Sequence, residues 1–377
     1  MKPLKKYGSL IVLSLLIIFS NWFISSQQRV EEYYSNGLYP YIALALRWTL
    51  GWIPFSIGDL LYCAVIVWLG LRSWKFLSHA WKRGFKQWRE DLPSLFILVL
   101  NALTILAWTW LVFHALWGFN YYRKGMPEQF GLSAENPSKE ELSKFAGYLL
   151  RETNRFAVET KVASPESALF FNQAELLRLG ETGHPSMESN RPASSKVADE
   201  ANHPPNPQPP SLKSSLFGVL GNYMGYGGYY NPFTGEAQIN THMPSFMLPF
   251  IAVHEKAHQL GYAKESEANF IGYLSAIDSG DSSLKYAANL EMFIYANNAL
   301  RRLDSLGARK NLQSLSPIAI RDIRQYRAFV KKYQGPIDAF TTWFYTKFLR
   351  LNNQPEGMYS YNKGMLYVMR YINKKPA

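Results

Sequence analysis

The sequence predicts a mainly α-helical protein, with three N-terminal transmembrane helices followed by an α+β domain that contains a small sheet. Three observations predict this class: long uncharged apolar stretches in residues 1–122, a succession of segments with helical periodicity, and one short strand-like run at 236–240. The 377 residues are 47% hydrophobic, which excludes a wholly disordered chain. A single cysteine, Cys63, excludes an internal disulfide and a Cys-rich zinc site.

The first predicted span, at about 8–26, lies within the uncharged stretch 7–28. About 20 apolar residues suffice for a helix to cross the hydrocarbon core of a bilayer. A cleavable signal peptide is the alternative, because three lysines precede the apolar run. No small-x-small cleavage site follows, and bulky residues stand where one is expected. The pattern therefore favours an uncleaved anchor.

The second predicted span, at about 53–74, is apolar with one acid, Asp59, near its start. The third, at about 92–119, belongs to a stretch without Asp, Glu, Lys or Arg that continues to Tyr122. A buried helix of a soluble protein rarely lacks a polar face over such a length, so a membrane span is favoured. Its end is rich in tryptophan and tyrosine, which is typical of the interface between lipid and water.

The distribution of Lys and Arg predicts the orientation of these spans. The N-terminal tip carries three basic residues and the loop between the second and third spans carries six, whereas the loop between the first two has only Arg29 and Arg47. This asymmetry places the N-terminus in the cytoplasm and everything after about Phe119 outside it. After the 11 basic residues of the membrane part, the remaining 29 of the 40 face 23 acids, a modest excess that suits a protein beside an anionic surface, so a nucleic-acid partner is excluded despite the net charge of +12. The lipid bilayer is the expected partner, and the oligomeric state is left open.

The rest of the chain divides into three parts. Residues 123–180 form a helical prefix, in which Ser138 and Glu141 make a capping box at a helix start. Residues 181–212 contain seven prolines and many polar side chains, and are predicted to be a flexible loop. Residues 213–377 form the main outer domain. Its predicted helices are 246–260, 266–277, 282–304, 317–333, 336–349 and 361–371.

The strongest chemical signal is His254-Glu255-Lys256-Ala257-His258, which matches the pattern H-E-x-x-H. Two imidazoles at positions i and i+4 lie on one helix face and can bind one Zn²⁺, and Glu255 then stands beside the metal to act on water. An incidental pattern on a surface helix is the alternative. The apolar residues before the motif disfavour it, because they indicate a buried helix, where unpartnered polar groups are costly.

A third zinc ligand is expected on the next helix, where Glu265 and Glu267 are the candidates. Residues two positions apart on a helix are rotated by about 200° around its axis, so the two carboxylates do not face the same ion together. Glu265 has Asn269 four positions later on its own face, where the amide can hydrogen-bond a ligating imidazole as outer support. Glu267 has Ile271 there. Glu265 is therefore favoured, and Glu267 stays as the alternative.

The sequence HEKAH followed by ESEAN resembles the gluzincin superfamily of zinc metallopeptidases, in which HExxH is followed by Glu-x-x-x-Asp on the next helix. The Asp position is Asn269 here, which keeps a hydrogen-bonding group and loses a negative charge. The three-span plan, WGFNYYR after the third span, and GYYNPFTGEAQIN are similar to an uncharacterised family of bacterial membrane proteins. That resemblance covers most of the chain except the Pro-rich tract, and it implies the inner membrane of a bacterial cell.

The gluzincin resemblance also implies two groups that contact substrate. An edge strand before the zinc-binding helix binds the substrate backbone in such enzymes, and an ordinary hairpin strand is the equal alternative. The residues in that place are Glu236, Ala237, Gln238, Ile239 and Asn240. A tyrosine phenol that stabilises the tetrahedral intermediate is implied as well, and Tyr361, with Tyr359 close by, is the candidate.

The sequence therefore predicts a membrane-anchored zinc metallopeptidase that cleaves peptide or protein substrates outside the cytoplasm. Its cofactor is Zn²⁺ and its general base is Glu255. The alternative from another class is a zinc-stabilised membrane sensor or scaffold domain without turnover. A closed site with four protein ligands would favour the scaffold, and an open fourth position favours the enzyme.

Overall fold

Apolar helices of membrane-spanning length begin the fold. The computed structural model describes residues 2–83, 92–133, 135–160, 211–357 and 360–374. The first helices are α1 (Lys2–Ile24), α2 (Gln27–Arg29), a π-helical segment (Val30–Leu38), α3 (Tyr39–Leu50), α4 (Ile57–Arg83) and α5 (Leu92–Leu116). Two of them contain stretches long and apolar enough to cross a membrane, Ile57–Ser78 and Ile97–Leu116. These stretches correspond to the second and third predicted spans.

The surface of α4 shows which environment this helix needs. None of its apolar stretch is buried inside the protein. Side chains on all of its sides, such as Leu61, Ile66 and Trp68, are exposed. A helix that is apolar around its whole circumference is stable only in apolar surroundings, with its backbone groups satisfied internally. An apolar surface on all sides of a long helix is typical of a membrane protein.

The predicted loop after the first span differs from the structure. The stretch Leu10–Ile24 of α1 and the following run, Gln27–Leu50, qualify together as one candidate span, which is bent by 100° at the break. The first predicted span therefore lies within one helix, α1, except for its last two residues, whereas the predicted loop after it is mostly helical. The break has a local cause, because Ser26 has an extended backbone and its side chain accepts a hydrogen bond from Arg29 N, which starts a new helix.

The helical run after the break packs on the end of α5. Tyr34 Oη donates to the backbone oxygen of Ala115 at 3.0 Å, and the Tyr34 ring lies edge-on to Phe119. Tyr34 and Tyr39 are both buried there. These tertiary contacts explain why residues expected in a loop are helical, and why Arg47, expected to be a loop charge, is buried on α3.

The outer helices surround the HEKAH segment. They are α6 (Met126–Phe130), α7 (Lys139–Glu159), α8 (Gly218–Met224), α9 (Leu248–Gln259), α10 (Glu265–Asp278), α11 (Ser282–Leu303), α12 (Ser305–Gln313), α13 (Pro317–Tyr333), α14 (Pro336–Leu351) and α15 (Ser360–Lys374). The capping box forms at the start of α7 as predicted. All six predicted helices are present with bounds shifted by three residues at most, and α12 is an addition. The helices α9, α10 and α11 pack on one another, and α7 packs along α11, so HEKAH lies within the core.

A small sheet lies beside α9. Its strands are β1 (Leu212–Ser214), β2 (Gly228–Asn231) and β3 (Glu236–Ile239), in the order β1-β3-β2. The strand β3 pairs in parallel with β1 and antiparallel with β2, so both of its edges are occupied. The predicted edge-strand role of residues 236–240 is therefore wrong, because a central strand has no free row of backbone groups for a substrate.

The sheet also contacts the start of α4. The Glu236 carboxylate accepts hydrogen bonds from the backbone nitrogens of Ile57 (3.1 Å) and Gly58 (2.7 Å). In turn, Asp59 accepts from Leu216 N at 2.6 Å and from the Tyr229 hydroxyl. These bonds join one end of the second span to the sheet. Glu236 therefore caps a membrane helix, which is a structural role that substrate binding would disrupt.

Most of the predicted flexible loop, within residues 161–210, lies outside the described part of the chain. The predicted end of that loop, Leu212, is the first residue of β1 and is buried. The outer domain therefore includes Leu212, one residue before its predicted boundary.

Candidate metal centre

The HEKAH segment is helical and buried for identifiable reasons. Pro249 stands in the first turn of α9, where its missing N–H leaves no hydrogen bond unmade. After the helix, Gly261 has a φ of +88°, a left-handed conformation that glycine adopts without strain. Phe250 and Val253 pack in the core and fix the helix against α10 and α11. The motif therefore lies on a short helix held from all sides.

Three side chains converge beside this helix. His254 and His258 come from α9 and Glu265 from the first turn of α10, and their ligand atoms all lie within 4.8 Å of one another. The distance to Glu265 Oε2 is 3.2 Å from His254 Nε2 and 3.5 Å from His258 Nε2. Glu267 instead lies 3.4 Å from Lys264 Nζ. Of the two candidate glutamates, the structure brings Glu265 to the histidine pair.

The hydrogen-bond partner of each Nδ1 determines whether the Nε2 atom, which faces Glu265, carries a hydrogen or a lone pair. His254 Nδ1 lies 2.8 Å from Asn269 Oδ1, and His258 Nδ1 lies 2.8 Å from the backbone oxygen of Tyr262. Both neighbours are acceptors, so in the neutral imidazoles each Nδ1 carries the hydrogen and each Nε2 presents a lone pair. Two nitrogen lone pairs and a carboxylate oxygen then face one point, which only a shared proton or a cation satisfies. This donor set fits Zn²⁺, for which two histidines and a glutamate are a known ligand set.

The charges of the cluster agree with a cation site. Burial opposes ionisation of Glu265, but the imidazoles beside it hold the pKa of its carboxyl well below the usual range. Burial likewise disfavours a charged His258, yet the Glu265 carboxylate raises the pKa of this imidazole to about 9. The buried carboxylate thus requires positive charge from its neighbours. A divalent cation supplies that charge and takes the place of the extra proton.

Glu255 follows the first histidine and has a free carboxylate oxygen. The side chain is only 4% exposed, and its Oε2 has no hydrogen-bond partner among the described residues. Burial raises the pKa of this carboxyl to about 7, although the two imidazoles act in the opposite direction. The strand β2 leaves room for it, because a Cβ added at Gly228 would lie 2.7 Å from Glu255 Oε1. A buried carboxylate without a partner is costly, and such groups concentrate at functional sites.

Two groups at the site were missed by sequence reasoning. Tyr345 Oη donates to Glu265 Oε1 at 2.6 Å, and Gln354 Oε1 accepts from Glu265 N at 3.2 Å. Tyr345 thereby holds the carboxylate oxygen that the histidines do not share. One tyrosine among 24, eighty positions away from its partner, carries no local signal. The candidate Tyr361 belongs to α15, but its side chain, like all of Tyr359, lies outside the described part of the chain.

The C-terminal end of α9 is held by residues from the membrane-side helices. Trp117, directly after α5, donates from Nε1 to the backbone oxygen of His258 at 3.0 Å. Tyr39, the first residue of α3, donates from Oη to the backbone oxygen of Gln259 at 2.7 Å. Arg123 donates from Nη1 to the backbone oxygen of Gly261 at 3.3 Å and pairs with Glu31. The last carbonyls of a helix have few partners within the helix, and here residues of the membrane side bond two of them and the carbonyl of Gly261 that follows.

This arrangement predicts a stability effect at Tyr39. Tyr39→Phe removes one hydroxyl from a buried side chain and leaves the Gln259 carbonyl without that donor. We expect a loss of about 1–2 kcal/mol in unfolding free energy, the range for a buried hydrogen bond. Unfolding of the full chain in detergent measures this. The matched control is Tyr33→Phe, since Tyr33 lies in the neighbouring π-helical segment and is exposed. Equal stability of the two variants would contradict the assigned role.

The fold is mainly helical, and two or three of its helices are long and apolar enough to span a membrane. The site is a buried group of two His side chains and one Glu side chain that could hold a metal ion. A family model described as "Protein of unknown function (DUF3810)" matches residues 34–369. The chain therefore belongs to the DUF3810 family. The match extends from the π-helical segment to α15 and includes all three converging side chains. No curated protein and no solved structure matches the chain.

Proposed function

We propose that this protein is a membrane-anchored zinc-dependent metallopeptidase that hydrolyses peptide bonds outside the cytoplasm. The observation that carries the proposal is the convergence of three buried acceptors, His254, His258 and Glu265, next to a buried carboxylate without a hydrogen-bond partner. The gluzincin-like spacing of HEKAH and ESEAN supports the same activity. The first feature is what a divalent cation needs, and the second is what a general base needs.

Each residue has a part in the proposed reaction. His254, His258 and Glu265 hold the zinc ion, while Asn269 and the Tyr262 carbonyl orient the two imidazoles. When bound, zinc supplies Lewis acidity that polarises the scissile carbonyl and acidifies water. Glu255 accepts the proton of the attacking water and delivers it to the leaving amine nitrogen. Hydrolysis is complete once the C–N bond breaks, and Glu255 is returned to its ionised form.

The rival function is a zinc-stabilised sensor or scaffold domain. Structural zinc sites are closed by four protein ligands, whereas catalytic sites keep one position open. The group of possible ligands found among the described residues has three members, His254, His258 and Glu265. Three ligands favour the enzyme over the scaffold.

The orientation of the site follows from the two clear spans. Four Lys and Arg residues lie in the last twelve positions of α4 and two more lie between α4 and α5, which favours the cytoplasm on that side. We expect reporter fusions after Trp74 to behave as cytoplasmic and fusions after Lys124 as extracytoplasmic. This expectation holds whether or not the bent pair of α1 and the following run crosses the bilayer. Cytoplasmic behaviour of fusions after Lys124 would place the site inside the cell and refute the proposal.

A proteome comparison tests the function while the substrate is still unidentified. Membrane and extracytoplasmic fractions are compared between wild-type cells and cells that carry Glu255→Gln at the same expression level. A peptidase substrate should accumulate uncut in the variant, and its cleavage fragments should disappear. A variant proteome identical to that of the wild type, at conditions where a deletion strain differs, would support the scaffold instead.

A further inference from the structure

One surface of the outer domain is apolar and unburied. It is formed by α8 with the turn before it and by α14, which lie side by side: a Cβ added at Gly225, just after α8, would lie 2.7 Å from Oδ1 of Asp338 on α14. Eight large side chains make up this surface, and each of them is 42–63% exposed. They are Leu216, Val219, Leu220, Tyr223, Ile337, Phe340, Trp343 and Phe344. We refer to it as the α8/α14 face.

The helix α14 has two different sides. Ile337, Phe340 and Phe344 recur at spacings of three and four, which places them on one exposed side. Away from this side lie Leu349, which is buried, and Tyr345, which is partly buried and donates its hydroxyl hydrogen to Glu265. A contiguous apolar surface of this size is unusual on a protein surrounded by water and indicates contact with a partner or a membrane. An amphipathic helix with aromatic residues on its apolar side is typical of helices that lie in the plane of a bilayer surface.

Both ends of the α8/α14 face are joined to membrane spans. At the α8 end, Leu216 N donates to Asp59 in the first turn of α4 at 2.6 Å. At the α14 end, the Phe348 ring lies 6.3 Å from Phe113, which belongs to the apolar stretch of α5. The start of α4 and the end of α5 are on one side of the membrane, because the two helices are consecutive spans. The α8/α14 face is therefore continuous with the lipid-contacting surface of the spans. It lies at the level where the two spans leave the bilayer.

Aromatic residues at the end of α3 and between α3 and α4 are consistent with this level. Trp48, Trp52 and Phe55 are exposed just before the second span begins. Tryptophan concentrates where hydrocarbon meets lipid headgroups. The two basic residues of α14 also fit, since Lys347 and Arg350 near its end are exposed and complement anionic headgroups.

We propose that the α8/α14 face is embedded in the outer surface of the lipid bilayer, so that the outer domain lies on the membrane and does not project away from it. The occupant is lipid, because the face continues the surface of the spans and carries the aromatic residues of an interface. Tyr345 then connects a helix in the lipid surface to the carboxylate of Glu265. This proposal is independent of turnover, since it concerns where the domain lies whatever its chemistry.

Depth-dependent fluorescence quenching tests the position of the face. The full chain carries Cys63→Ala, which removes the only cysteine, and receives a single new cysteine for a polarity-sensitive label. Phe344→Cys and Leu220→Cys probe the two helices of the face. Leu306→Cys is the matched control, because Leu306 is an exposed apolar residue of α12, which packs on α7 and α11. Each protein is placed in nanodiscs at one chain per disc, with lipids that carry a spin label near the headgroup.

Embedding predicts opposite responses at the face and at the control. Labels at positions 344 and 220 should be quenched by the spin-labelled lipid at least about threefold more than the label at 306, and should be shielded from aqueous iodide. Iodide quenching at 344 and 220 equal to that at 306 would show that the face is in water and overturn the proposal. Shielding from iodide without quenching by the lipid would show that protein covers the face, which also overturns it. Two labelled positions guard against a local effect of either substitution.

Discussion

Glu255→Gln is expected to leave zinc in the protein and to reduce peptide turnover by at least about 100-fold. Glutamine has nearly the shape of glutamate, so α9 and the converging side chains should stay in place. What disappears is the carboxylate oxygen that accepts the proton of water, an oxygen without a hydrogen-bond partner among the described residues. General-base catalysis is worth about 10² to 10⁴ in rate, or roughly 3–5 kcal/mol of barrier.

Two measurements on the full chain check this expectation. Zinc content is determined on protein purified in detergent, and function is scored by complementation of a deletion strain and by cleavage of a substrate found in the proteome comparison. Glu159→Gln is the control, since this glutamate is exposed at the end of α7. Full complementation by a zinc-loaded Glu255→Gln protein would end the enzyme hypothesis and leave the scaffold.

The second large effect concerns the ligand set. We expect about one zinc ion per wild-type chain, and loss of stoichiometric zinc in His254→Ala, His258→Ala and Glu265→Ala, because each variant leaves two ligands. Glu267→Ala should retain zinc, since Glu267 pairs with Lys264. Asn269→Ala should weaken zinc about 10 to 100-fold, because the hydrogen bond that orients His254 is lost.

Competition with a chelator of known affinity gives these values on the full chain in detergent. Glu265→Ala and Glu267→Ala form a matched pair, because both remove a buried carboxylate from the first turn of α10. Zinc loss in Glu267→Ala with zinc retained in Glu265→Ala would transfer the third-ligand role to Glu267. Zinc loss in neither variant would mean that the two histidines bind metal with a different third group.

The sequence was a good guide where local chemistry decides the structure. The bounds of α13 were predicted to the residue, because Ser316 caps the helix and Pro317 opens it. The same holds for the spacing of His254 and His258, which a helix brings to one face. The choice of Glu265 over Glu267 also followed from helical geometry, through the position of Asn269 on the same face.

Features that depend on distant partners were not predictable in this way. The bend after α1 and the helices that follow it depend on aromatic packing against the end of α5, about 80 residues later in the chain. The central position of β3 in the sheet was not predicted. Its parallel partner β1 is separated from it along the chain by two other elements, α8 and β2. Tyr345 and Trp117 reach the site from 80 and 141 positions away, distances at which no periodicity in the sequence carries information.

The hydrogen bonds from Trp117, Tyr39 and Arg123 to the end of α9 have a consequence for how this protein can be divided. A chain cut after residue 125 would lose all three donors together with the aromatic cluster around Trp117. The released half would expose the carbonyls behind the second histidine to water and would have to rebuild that end of the helix. Separation from the membrane-side residues should therefore destabilise the end of α9 behind His258. Transplanting the outer half onto another anchor should fail unless residues 31–39 and 117–123 travel with it.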